Sequence, residues 1–432
     1  MKKLAISAAA LAALTSFSYA GIDFDRAGKT SLKDEINQFE ASLPVSPLAG
    51  KAPAAEWTVM VYINAKNNLE EFGLQDLNEM EIAGSSDKVN VVVELGRMAG
   101  YDDTDGDWKG SRRYLVRKDS DFSSVTSSVV ADLGKVDMGD YRHLSEFGNW
   151  AKAAYPAKKY MLIVWNHGSG WDKNAGRAAR GISYDDETGN YINTPQLGLA
   201  LKEMGGVNVY GSDACLMQMA EVAYELKDLA GYIVGSEETE PGDGYTYNTM
   251  LTPLLAKPAM APAELSKLTV NAYSDYYAKK GQASTQSDLK ASALPRFLGL
   301  VNDWVSAVTL AGDKKLVRWA GSKAESYSTY DNKDLYHFVQ LVGEGTKDKG
   351  VAEKGRFLMD FITKELVMTN RVNESANGGG GENSDWNDKK VSANSHGIAV
   401  CLPDDAPADG YRDLAWAKAS GWDEFLKWYR MP

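Results

Sequence analysis

The chain is poor in cysteine: Cys215 and Cys401 are its two thiols among 432 residues. A scaffold built on many disulfides is excluded, and the length is enough to bury a substantial core without such staples. Positive charge is also in short supply, with 47 Lys and Arg against 59 Asp and Glu and a formal net charge of −12. That balance makes nucleic acid and anionic membrane poor partners, and draws basic substrates instead. Beyond residue 20 no apolar run is long enough to cross a bilayer, so a membrane span is not expected. No internal repeat is present, which excludes a repeat architecture. Histidine is limited to four residues, of which His143, His337 and His396 lack metal-ligand spacing and read as structural.

What is present begins with MKKLAISAAALAALTSFSYA. Two lysines, an apolar core and a small-residue end are the layout of a secretory signal peptide cleaved after Ala20. Gly21 follows the cut, where a lipid anchor would need cysteine. The expected product is a soluble bacterial protein, periplasmic or secreted, and more acidic once Lys2 and Lys3 are gone. In such a compartment two cysteines pair by default, so a Cys215 to Cys401 disulfide is one reading of both. Residues 21–56 join a short helical pattern, SLKDEINQFEASL, to the proline-bearing PVSPLAGKAPAA, and read as a pro-region or linker.

From Trp57 the texture changes. WTVMVYINA, KVNVVVELG, YMLIVWNHG and VNVYGSDAC are continuous apolar runs of strand length, as expected for strands covered on both faces. Helical patterns lie between them: NLEEFGLQDLNEMEIAG, HLSEFGNWAKAAYP, and TPQLGLALKEMGG with Thr194 as N-cap and Pro195 in the first turn. This alternation predicts an α/β domain over residues 57–257 with a mostly parallel sheet. Residues 258–432 read as mainly helical, in PAELSKLTVNAYSDYYAKK, ALPRFLGLVNDWVSAVTLAG and EKGRFLMDFITKELVMTNRV, with one late strand, HGIAVCLP, that contains Cys401.

Two of the strands end in residues with chemistry. YMLIVW runs into Asn166, His167, Gly168, Ser169 and Gly170, and VNVY into Gly211, Ser212, Asp213, Ala214 and Cys215. Parallel neighbours would release His167 and Cys215 at one edge, the carboxyl edge where α/β sheets place their sites. A nearby histidine stabilises a thiolate, and Leu216, Met219, Ala220, Ala223 and Tyr224 predict a helix just beyond Cys215 whose positive end would add to that. Gly168 lets backbone approach closely, and its N–H with that of Cys215 is placed to hold an oxyanion.

His167 precedes Cys215 by 48 positions, near the roughly 50 found in caspases, although Asp-Ala-Cys stands where caspases have Gln-Ala-Cys. With these blocks the chain resembles the clostripain family of cysteine peptidases, relatives of caspases, gingipains and legumains. WTVMVYINAKNNLE, FGNWAKAAYPAKKYMLIVWNHGSGW, RGISYDDETGN, YGSDACLMQMAEVAYEL and GSEETEPGDGYTY carry the likeness. It continues through DNKDLYHF, HGIAVCLP and GWDEFLKWY, covering nearly everything from Trp57 onward.

The resemblance implies a caspase-like sheet flanked by helices, a catalytic dyad of His167 and Cys215, and endopeptidase cleavage after Arg or Lys. It also implies that Asp213 lies near the base of the S1 pocket, where a shielded carboxylate suits a guanidinium or ammonium. The plainer reading of Asp213 is a turn or N-cap residue. Glu237, Glu238, Glu240 and Asp243 in GSEETEPGDG are further acids available to line the site. Family members typically end the first strand in an Asp-Asn-Asp-Leu-like sequence, whereas this chain has Lys66, Asn67, Asn68 and Leu69. That difference removes acids from the loop and leaves the dyad untouched.

Relatives are often zymogens cut between the two catalytic blocks. The segment DKNAGRAARG offers Lys173, Arg177 and Arg180 to an enzyme of basic preference, with Arg180 the first choice and Arg177 the second; an ordinary surface loop is the alternative. The aspartates of YDDTDGDWKG suggest Ca²⁺, but the glycine is misplaced for an EF-hand and the twelfth position from Asp103 is Tyr114. The segment reads as a hairpin tip, so no cofactor is required, and adventitious Ca²⁺ binding stays open. The expected protein is an exported cysteine endopeptidase acting on proteins or peptides with Arg or Lys at P1. Its rival is a non-catalytic binding protein with Cys215 and Cys401 joined.

Overall fold

The computed structural model describes residues 54–171, 181–374, 394–407 and 410–431. Its strands are β1 (Ala55–Asn64), β2 (Val89–Arg97), β3 (Gly110–Leu115), β4 (Val129–Gly134), β5 (Ala157–Trp165), β6 (Ile182–Asp185) and β7 (Asn190–Ile192). There follow β8 (Val207–Asp213), β9 (Ala230–Gly235), β10 (Ser284–Lys290), β11 (Asn332–Asp334), β12 (Val367–Asn373) and β13 (Ala399–Cys401). Nine of these form one sheet in the order β12-β10-β9-β8-β5-β1-β2-β3-β4. Pairings from β9 through β8, β5 and β1 to β2 are parallel, and antiparallel strands close both sides.

The apolar runs form the middle of this sheet because both of their faces are covered. In β1, Trp57, Val59, Val61 and Ile63 enter one core and Met60 and Tyr62 the other, all of them fully buried. Strand β5 repeats the alternation, with Met161, Ile163 and Trp165 on the first side and Leu162 and Val164 on the second. Each such side chain contributes roughly 1.5–3 kcal/mol by leaving water. Helices Glu70–Ala83, Tyr247–Ala256 and Pro262–Lys280 cover the first face, while Tyr141–Ala154, Thr194–Glu203, Ala220–Glu225, Leu294–Ala311 and several later helices cover the second.

Four local expectations need correction. β10 and β12 add two strands to the central sheet from the region read as helical with a single late strand. Their sequences, STQSDLK and VMTNRVN, carry few apolar residues, and Thr285 and Ser287 are buried through hydrogen bonds to Ser236 and Gln218 instead. The run from Glu353 to Val372 is accordingly helical only in its first part, since Lys349–Phe361 is helix and Val367–Asn373 is strand. The helix at Thr194 is capped one residue earlier, by Asn193 in a reciprocal capping box with Gln196. Finally, the helix expected to abut Cys215 begins at Ala220, is six residues long, and is separated from the thiol by a turn.

Along the sheet, β2 lies on one side of β1 and β5 on the other. The connection after β1 packs a helix on one face, and the helix before β5 packs on the opposite face. A crevice therefore opens beyond the carboxyl ends of β1 and β5, as it does wherever the order of an α/β sheet reverses.

Candidate active site

Strand register brings the two chemical loops together. Trp165 of β5 and Asp213 of β8 are register partners. His167 and Cys215 each lie two residues beyond that pair, on strands about 4.8 Å apart. Both line one pocket of about 280 Å³, together with Asn68, Trp165, Asp213, Ala214 and Glu240. The loops pack backbone to backbone at Gly168, where an added Cβ would sit 2.4 Å from the Cys215 carbonyl oxygen. Beyond the cysteine the chain turns sharply through Leu216, whose φ of 64° is unusual for a branched side chain. That turn is held by hydrogen bonds from Leu216 N–H to the Glu238 carbonyl at 3.1 Å and from Gln218 N–H to the Ser236 carbonyl at 3.0 Å.

The histidine is oriented from the connection after β1. Nε2 of His167 lies 2.9 Å from the amide oxygen of Asn68, which leaves Nδ1 for the pocket. Burial lowers the His167 pKa, so the ring is neutral at neutral pH and ready to accept a proton. Cys215 Sγ accepts the backbone N–H of Glu240 at 3.2 Å. Burial, with the nearby carboxyl of Glu240, pushes the thiol up to about 12. With these shifts the pair is thiol and neutral imidazole.

Beneath the thiol lies a floor of carboxyl groups. Asp213 is buried, accepts the Tyr245 N–H at 3.0 Å and the Tyr247 hydroxyl at 2.7 Å, and burial raises its pKa to about 6. An added Cβ at Gly244 would meet its Oδ1 at 2.8 Å, and the φ of 54° there independently favours glycine. Asp76 and Glu79 stand behind it on the helix Glu70–Ala83, one bonded to Trp165 Nε1 at 2.6 Å and the other to Tyr247 N–H at 3.0 Å. Burial raises both, Glu79 to about 7.

Of the four acids noted in GSEETEPGDG, Glu240 is the one that lines the pocket. Glu237 accepts the Gly397 N–H at 2.9 Å, Glu238 accepts the Ser328 N–H at 2.9 Å, and Asp243 is bound by Lys280 and Tyr276. Asn68 entered the sequence reading only as a loop residue without a role, and Asp76 and Glu79 escaped it. A usable signal for the last two was acidic residues three apart on a helix whose neighbours Leu74, Leu77 and Met80 are buried. Arg177 and Arg180 fall outside the described residues, as does Lys173. Cys215 and Cys401 are not joined, so the disulfide reading fails; Cys401 sits buried in β13, against Trp422, which donates to its carbonyl at 2.8 Å. The segment YDDTDGDWKG does connect the antiparallel strands β2 and β3, and its Asp102 and Asp105 accept hydrogen bonds from Arg97, Thr104 and Val125.

The mostly parallel sheet flanked by helices, with His167 and Cys215 beyond the ends of neighbouring strands, has the fold of C11 cysteine proteases. A secreted C11 cysteine protease of Bacteroides thetaiotaomicron, solved with an irreversible peptide inhibitor, superposes with a TM-score of 0.67 at 22% identity, covering 85% of this chain and 100% of that one. An inactive zymogen C11 protease of Parabacteroides distasonis gives 0.65 at 16% identity, over 86% and 99% of the two chains. At such identities the likeness is one of fold. The Clostripain family model matches residues 61–428, and the chain belongs to that family. Clostripain of Hathewaya histolytica is 27% identical over 241 residues, which are 50% of this chain and 45% of that relative, so the match spans under half of clostripain's length.

Proposed function

We propose that the protein is an exported cysteine endopeptidase that cleaves after Arg or Lys. One observation carries the specificity: buried Asp213 shares a pocket with Cys215, and no Lys or Arg among the described residues forms an ion pair with it. A buried carboxylate without a cation is a costly arrangement, and a basic P1 side chain supplies the missing partner. No helix among the described residues is long and apolar enough to cross a membrane.

In the reaction, His167 takes the thiol proton through Nδ1 while Nε2 rests on Asn68. Cys215 Sγ attacks the scissile carbonyl, and the backbone N–H groups of Gly168 and Cys215 receive the oxyanion. His167 then protonates the leaving amine, and water hydrolyses the acyl-enzyme. The chemistry needs no cofactor. Self-cleavage after Arg180, or else Arg177, would activate the chain. Arg, Lys, Leu and Asp amide reporters, combined with mass analysis of the purified protein before and after incubation, test the reading. Turnover of the basic pair alone supports it, and equal turnover of all four ends it.

A further inference from the structure

A lysine closed off from solvent stands behind His167. The Lys66 side chain lies fully buried in the connection after β1, and a buried ammonium is tolerated only where charged and polar partners surround it. Here it has three. Its Nζ lies 3.0 Å from Glu187 Oε2 and 3.4 Å from Asp185 Oδ2, and it donates to the Val136 carbonyl. Among the described residues Lys66 is the one cation paired with Asp185, whereas Glu187 also meets the exposed Lys135.

Both acids belong to the hairpin of β6 and β7, and that hairpin carries the supports of His167. The carbonyl of Tyr184, next to Asp185, accepts two buried amides, Asn67 Nδ2 at 2.9 Å and Asn166 Nδ2 at 3.0 Å. Asn67 precedes Asn68, whose Oδ1 meets His167 Nε2, and Asn166 precedes His167 itself. Just after the histidine, Ser169 N–H donates to the Gly181 carbonyl at 3.0 Å. The remaining bonds printed between the connection after β1 and this hairpin among the described residues, such as Asp186 N–H to the Lys66 carbonyl at 2.9 Å, join neutral groups. Charge-assisted bonds are roughly twice as strong, so Lys66 supplies the strongest single tie between the two segments.

Building on the reading of His167 as the general base, we propose that Lys66 is a positioning residue for it. The ammonium draws the hairpin onto the connection after β1 and so sets where Asn68 and Asn166 hold the ring. Lys66 does not line the pocket, and the side-chain donors to Asp213 come from Tyr245 and Tyr247 rather than from the hairpin. Its loss should therefore reach proton transfer, which demands hydrogen-bond reach, and spare substrate binding. Without Lys66, Asp185 keeps the Met138 and Thr188 N–H groups and loses its cation, which leaves a buried carboxylate open to any small cation that enters. In Lys66→Ala the missing part of the side chain has the shape and charge of propylammonium, so the free amine can take its place.

Hydrolysis of an arginyl amide reporter by the unaltered protein and by Lys66→Ala, with and without propylammonium, tests the role. The variant should lose roughly tenfold or more of kcat while KM changes by less than about twofold. Propylammonium should restore kcat saturably, and tetramethylammonium, which carries the charge without an N–H, should not. A kcat within about twofold of the unaltered protein, or a loss that propylammonium leaves in place, overturns the positioning role and leaves the reading of His167 standing. Should Lys66→Ala fail to fold, Glu187→Gln, on the partly exposed side of the cluster, is measured instead. A lowered kcat at constant KM there supports the role, and an unchanged kcat overturns it. Arginyl turnover that survives His167→Ala ends the general-base reading and this inference together.

Discussion

Asn68, in the connection after β1, and His167, just beyond β5, meet with Oδ1 2.9 Å from Nε2. An acceptor on Nε2 fixes the N–H at that atom, leaves the lone pair on Nδ1, and holds the ring in one orientation. The amide oxygen of Asn68 orients the ring without adding charge. Asn68→Ala should lower kcat by roughly tenfold with little change in KM, the mark of a group that acts through the general base. Asn68→Asp should recover most of kcat and move the acid limb of the kcat profile to higher pH, because a carboxylate stabilises the imidazolium. Steady-state kinetics between pH 5 and pH 9 check both; a loss confined to KM would contradict the role.

Asp213→Asn should remove roughly 10- to 100-fold of kcat/KM for Arg and Lys substrates, the scale of one charge-assisted hydrogen bond, while neutral substrates change little. The comparison is a ratio of kcat/KM values on paired reporters. An unchanged ratio would move the specificity determinant elsewhere in the pocket.

Gly168→Ala should abolish turnover by at least 100-fold, because the added methyl meets the Cys215 carbonyl oxygen at 2.4 Å and forces the two loops apart. Expression level and melting temperature, measured alongside the assay, show whether the damage stays local. Full activity would mean that the loops do not pack as described.

A second buried acid makes stability depend on pH. Glu221 accepts the Cys401 N–H at 3.0 Å and the Tyr411 hydroxyl at 2.9 Å, yet burial outweighs both and raises its pKa to about 7. The folded protein binds that proton more tightly than the unfolded chain does. Its contribution is therefore complete below the ordinary carboxylate range and is lost as pH rises through about 7. A shift of this size corresponds to roughly 3 kcal/mol. Melting temperature should fall between pH 5 and pH 8, and Glu221→Gln, which retains an acceptor for both donors, should flatten that fall. An unaltered slope in the variant would contradict it.

The centre of the fold could be read from the sequence because its strands are apolar on both faces, and the pocket shared by His167 and Cys215 because both residues closely follow two of those strands. β10 could not be read, since Thr285, Ser287 and Asp288 are buried by hydrogen bonds to distant partners rather than by apolar character. The contact between Asn68 and His167 joins residues 99 positions apart, and Glu240 joins Asp213 in one pocket although β9 lies between them in the chain. Such pairings follow from tertiary packing, which local patterns do not encode. The support expected for the thiolate from a helix N-terminus is absent for a simpler reason: the turn through Leu216 delays the helix to Ala220.

The most direct measurement is hydrolysis of an arginyl amide reporter by the purified protein and by its Cys215→Ala variant, with leucyl and aspartyl reporters as controls. The account predicts turnover of the arginyl reporter by the unaltered protein alone, and none by the variant on any reporter. Undiminished arginyl turnover in Cys215→Ala would contradict the assignment of Cys215 as nucleophile, and with it the proposed mechanism.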